Sequence, residues 1–118
     1  MTFPVEIWLR GTDAAVTVTL ELPRDPAAWT EVDGRALFEA MLRAMDRAKS
    51  PEADERPVFL RGISWIVNPY EDGGVVVAIE IGLGAAVAGP FDIAQTELEV
   101  LLSRALSASQ HPGAASVH

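Results

Sequence analysis

Few residues in this 118-residue chain have the chemistry for catalysis. Cysteine is absent, which removes thiolate nucleophiles, zinc ribbons and iron–sulfur ligation. Both histidines, His111 and His118, fall in the terminal stretch, so a Ser-His-Asp relay or a histidine metal site would need that stretch to fold back. Lys49 is the sole lysine and closes a helical pattern, where a cation is favoured by the helix dipole. Ser64 sits in a strand pattern on the core-facing side and reads as a satisfied small residue, not a nucleophile. Tyr70, Glu71 and Asp72 cluster within turn residues; they could hold a cation or act as acid and base, but such a group is usually a solvated turn. Gly82 to Gly89 has the look of a phosphate loop, yet it lacks the third glycine of a dinucleotide fingerprint and the Gly-Lys-Ser/Thr ending of a P-loop. Glycines there permit a bend or bulge where a strand leaves its sheet. The expectation is a non-enzymatic protein with no cofactor and no metal.

Composition and charge narrow the partners. With 49% hydrophobic and 22% charged residues, the chain is that of one globular domain able to bury a core without a staple. Nine basic residues against 17 acidic ones give a net charge of -8, which opposes nucleic acid and anionic membrane surfaces. The excess is concentrated after Pro51, where the net charge is -6 against -2 before it. The longest apolar stretch, Val75 to Pro90, is interrupted by Glu80 and glycines and is too short to cross a bilayer core of about 30 Å. The opening residues lack a basic stretch followed by an apolar one, so the expected location is cytoplasmic.

The elements follow from periodicity. Val5, Ile7 and Leu9 alternate with Glu6, Trp8 and Arg10; after Gly11-Thr12-Asp13, Val16, Val18 and Leu20 alternate with Thr17, Thr19 and Glu21. These runs predict a hairpin with Trp8, Arg10, Thr17, Thr19 and Glu21 outward. Leu37, Phe38, Met41, Leu42 and Met45 recur at helical spacing, predicting a helix from about Val32 to Lys49. Val58 to Val67 is apolar on both alternating faces, and the Asn68 to Gly74 turn signal leads into Val75 to Leu83, a second hairpin. Asp92 with Gln95 three places on suggests a capping box for a helix carrying Leu98, Leu101, Leu102, Ala105 and Leu106. The order ββαββα predicts an α+β fold: a mostly antiparallel four-stranded sheet with both helices on one face. The domain is expected over residues 1–106, with a flexible tail over 107–118. Ala85 to Phe91 is left open: it either extends the last strand or folds across the outer face.

If the turn pairs Val67 with Gly74, Arg61 lies opposite Glu80. Val58, Leu60, Ile66, Val75, Val77, Ile79, Ile81 and Leu83 then face the helices. Phe59, Arg61, Ile63, Trp65, Val67, Val76, Ala78 and Glu80 face outward. The expected interface is therefore Trp8, Phe59, Ile63 and Trp65 around an Arg61–Glu80 pair, an apolar patch with the aromatic and arginine content of an interface centre. This predicts a protein-binding or accessory protein, with a homodimer as the leading form and another protein as the alternative partner. A second alternative is an acidic inhibitor of the immunity or antirestriction kind that blocks a basic cleft through Glu52, Asp54 and Glu55 or through Glu71 and Asp72. A third is an enzyme working with carboxylates alone.

Overall fold

The computed structural model describes residues 1–52, 57–60 and 62–110. Strands β1 (Thr2–Leu9) and β2 (Val16–Glu21) form the expected N-terminal hairpin, and α1 (Glu31–Lys49) follows after a 3-10 turn over Pro26–Ala28. Strands β3 (Ser64–Pro69), β4 (Val75–Ile81) and β5 (Gly84–Phe91) precede α2 (Gln95–Gln110). The class is α+β, and the sheet has five strands where four were expected. All pairings are antiparallel, in the order β2-β1-β5-β4-β3, and both helices pack on one face.

The fifth strand is the segment that periodicity left open. Ala85 to Phe91 pairs with β4 on one side and with β1 on the other, at the centre of the sheet. Small residues make that position possible. Ala86 and Ala88 are fully buried beneath the helix layer. At Gly84 the backbone has φ +153°, and a Cβ would overlap the carbonyl oxygen of Trp8 on the neighbouring strand. The glycine–alanine run is thus a close-packed central strand and not a loop.

The core lies between the sheet and the helices. Val5, Ile7, Leu20, Val67, Val77 and Ile79 meet Leu37, Phe38, Met41 and Met45 of α1 and Leu98 and Leu102 of α2. One end is closed by Phe3, Trp29 and Phe91, whose rings sit 4.8 to 6.2 Å apart in tilted or edge-on contacts. The indole nitrogen of Trp29 donates to the Arg24 carbonyl at 3.0 Å, so burial costs it no hydrogen bond.

The start of α1 is held by Asp33, a buried acid three residues past the Thr30 cap. Its carboxylate accepts from the Thr30 backbone N–H at 2.8 Å, from the Thr30 hydroxyl at 3.1 Å and from Arg24 Nε at 3.1 Å. Burial pushes the Asp33 pKa up, but the Thr30 and Arg24 hydrogen bonds and the guanidinium charge outweigh it and hold the group below its ordinary 3.8. The capping box expected at the second helix is absent. The Leu98 N–H closes onto the Ala94 carbonyl, and Gln95 turns its amide onto the Val67 carbonyl at 3.1 Å. The helix continues through Gln110, past the expected domain boundary at 106.

Two predictions follow from this packing. Gly84→Ala should lower unfolding stability by about 2–3 kcal/mol in denaturant melts, through backbone conformation and overlap together; Gly82→Ala, into open space, should cost less than about 1 kcal/mol. Because the folded pKa of Asp33 is depressed, its contribution is present above its ordinary pKa and lost as pH falls through the folded value. The stability gap between wild type and Asp33→Asn should therefore be flat above about pH 5 and shrink below about pH 4 in thermal melts.

Candidate functional site

The β3–β4 register decides which residues the outer face carries. Val67 pairs with Val77 and Pro69 with Val75, so the turn is confined to Tyr70–Gly74 and the strand includes Asn68-Pro69. Gly73 and Gly74 supply the positive φ values, +107° and +79°, that this tight reversal needs. Pro69 is tolerated because β3 is an edge strand. Relative to the expected pairing the register is displaced by three residues, an odd number, and every side chain of β3 changes face.

Trp65, Ile63 and Val67 consequently belong to the helix side. Trp65 stacks edge-on against Phe38 with ring centroids 5.9 Å apart, and Ile63 packs against the same core. Ile66, expected in the core, points outward and is 53% exposed. Glu80 faces Ser64 across the strands; Arg61, its expected partner, lies outside the described residues. Phe59 is 71% exposed but flanks a cleft with Leu42, Asp46, Ile81 and Leu83, beside α1 and not on the outer face. Of the described members of the expected interface set, only Trp8 and Glu80 lie on the open side of the sheet.

The registers arrange that side in rows across the strands. Trp8, Ala85, Glu80 and Ser64 form one row. Thr17, Glu6, Val87, Ala78 and Ile66 form the next, and Val76 continues the small apolar centre beyond Ala78. Val76, Ala78, Ala85 and Val87 are half-buried by their neighbours, while Trp8, 43% exposed, and Ile66 stand up from the surface. No helix covers this face among the described residues. A sheet solvated on one side normally carries polar outward residues; here its centre is apolar and low.

The strand positions of this face are acidic, and the Met1 amine lies 3.7 Å from the Glu21 carboxylate at one corner. Glu6, Glu21 and Glu80 occupy outward strand positions, and none of the described outward strand positions carries a cation. Arg10 follows Trp8 beyond the strand end, where its Nε donates to the Gly82 carbonyl at 3.0 Å. Four of the nine basic residues, Arg35, Arg43, Arg47 and Lys49, lie on α1, on the opposite side of the sheet. The described acidic loop residues, Glu52, Glu71 and Asp72, do not form a single surface. Glu52 follows the C-terminus of α1, near the end of the sheet where Asp46 flanks Ile81 and Leu83. Glu71 and Asp72 lie in the β3–β4 turn at the other end, and Asp54 and Glu55 lie outside the described residues. Among the described residues no three acids or histidines gather as metal ligands, and no helix is long and apolar enough to cross a membrane.

The feature that residue patterns missed is Ile66, together with Ala85 and Val87. Reading Pro69 as an edge-strand residue would have supplied the parity that exposes Ile66. Because Trp65 belongs to the core, Trp65→Ala should destabilise the fold by about 3 kcal/mol, read as a lowered unfolding midpoint. No protein-family model, curated protein or solved structure matches this chain significantly.

Proposed function

We propose that this protein is a binding or accessory protein without catalytic activity, and that it docks a partner through the open face of its sheet. The observation that carries this reading is the coincidence of a low apolar centre, two protruding anchors and glutamates at the outward strand positions of a sheet that no helix covers among the described residues. Trp8 and Ile66 are the anchors; Ala78, Ala85 and Val87 form a floor that lets another surface approach closely. Five strands at about 4.8 Å spacing and some six residues in length make a footprint on the order of 500 Å². That is smaller than the roughly 800 Å² each partner contributes to a standard stable interface, as suits a transient or accessory association.

Charge favours a different protein over a second copy at this face. Among the described residues no cation pairs with Glu80, so a second copy would bring Glu6 and Glu80 of both chains into one desolvated contact. A different protein, apolar at its contact and rimmed by arginine or lysine, satisfies the same carboxylates. The homodimer is thus the disfavoured occupant at this face. The acidic-inhibitor alternative converges with this reading, with its carboxylates on the sheet and not in the loops.

Light scattering across a concentration series tests this. Wild type should keep the mass of one chain, 12.7 kDa, at low and high salt. The double variant Glu6→Gln, Glu80→Gln should self-associate, and adding Trp8→Glu should reverse that. A wild-type mass of two chains that does not respond to salt would make the second copy the occupant. For a protein retained on wild-type chain from its host, Trp8→Glu and Ile66→Glu should each weaken binding at least about thirtyfold without unfolding the chain. Retention unchanged by both variants would overturn the sheet-face assignment.

A further inference from the structure

The two edges of the sheet differ. The strand hydrogen-bond phase shows which groups each edge presents. At the start of β1 the Met1 amine donates to the Leu22 carbonyl at 2.8 Å, and the Leu22 N–H returns to the Met1 carbonyl at 2.9 Å. This doubly bonded pair sets the alternation of the antiparallel ladder: Leu20, Val18 and Val16 bond inward to Phe3, Val5 and Ile7. The backbone N–H and C=O groups of Thr17, Thr19 and Glu21 therefore point away from the sheet.

At the opposite edge the same reasoning, from the Tyr70 N–H to Gly74 carbonyl bond, turns Trp65, Val67 and Pro69 outward. There the fold blunts the edge. Pro69 has no N–H to offer, and the Val67 carbonyl accepts from Gln95. The β2 edge has no proline, lysine or bulge on it, only Val-Thr-Val-Thr-Leu ending in Glu21.

Alongside that edge runs a groove of about 480 Å³ between β2 and α1. Val16 and Val18 line its sheet side, Val16 44% exposed although it points toward the helix layer. Ala40 and Ala44 line its helix side, leaving room where larger residues would close it. Arg43 and Arg47 stand on the same wall, two guanidiniums in a chain whose net charge is -8.

We propose that this groove binds an extended peptide segment of another protein, which adds to β2 as a sixth, antiparallel strand. Its main chain bonds Thr17, Thr19 and Glu21, alternate apolar side chains fill the space over Val16 and Val18, and a carboxylate on the same side meets Arg43 and Arg47. A peptide carboxylate on the helix side complements the two guanidiniums that line this groove along with Glu21. The site lies on a different surface from the sheet face and does not depend on its role.

The test uses the whole chain and the blocked hexapeptide Thr-Val-Thr-Val-Thr-Glu, whose valines and glutamate share one side of a strand. Amide spectra should show saturable binding, with slowed hydrogen exchange at Thr17, Thr19 and Glu21. N-methylation of the central threonine, whose N–H faces β2, should weaken binding at least about tenfold. N-methylation of the second valine, whose N–H faces away, should change it by less than about twofold. Replacing the peptide glutamate by lysine, or Arg47→Gln in the protein, should each weaken binding about threefold or more. Thr19→Pro should abolish binding, with Val16→Lys as the second variant should the proline perturb the strand. Absence of saturable binding to the folded chain, or equal loss on both N-methylations, would overturn the proposal. So would edge amides already protected without peptide in a chain of doubled mass, since the groove would then belong to a second copy.

Discussion

The pairing of β5 with β1 is the contact on which the architecture depends. It joins the N-terminal hairpin to the three later strands and makes one sheet from two locally formed pieces. Gly84 permits it, because its backbone passes so close to the Trp8 carbonyl that no side chain fits between them. Ala86 and Ala88 extend the same economy of volume to the helix side, where larger residues would lift the helix layer from the centre of the sheet. An antiparallel five-stranded sheet built in this way needs only one covered face. Both helices take that face, and the other is left to whatever its side chains can recruit.

Segregation of charge follows from the same layering. Glutamates occupy outward sheet positions, while α1 carries four of the nine basic residues on the far side. On α1 those four bases are matched by Glu31, Asp33, Glu39 and Asp46, so the helix is neutral as a whole and its guanidiniums act locally. The open face and the β2 groove thereby differ in chemistry, the first acidic around an apolar floor, the second apolar with guanidiniums on one wall.

The legibility of the site was uneven for a specific reason. Trp8 is placed correctly by alternation within β1, because Val5 and Ile7 are unambiguous core residues and set the parity. Trp65 is misplaced because Val58 to Val67 is apolar on both sides, so alternation carries no sign there and the turn alone must supply it. The turn signal spans Asn68 to Gly74, yet only Tyr70–Gly74 reverses the chain, and a proline that signals a loop in most contexts is here the last residue of an edge strand. One misread turn thus moved Trp65, Ile63 and Ile66 across the sheet together.

Composition and local pattern by themselves determined the α+β class, the N-terminal hairpin, the span of α1, the absence of thiol chemistry and the acidic balance, because each rests on residue type or on short-range spacing. Tertiary structure alone decided that the Gly-Ala run is a central strand, which face Trp65 and Ile66 occupy, and which sheet edge is left open. Those outcomes turn on register and on which strands become neighbours. Both are set by contacts between residues distant in the chain, and an alternation of period two is blind to a shift between them.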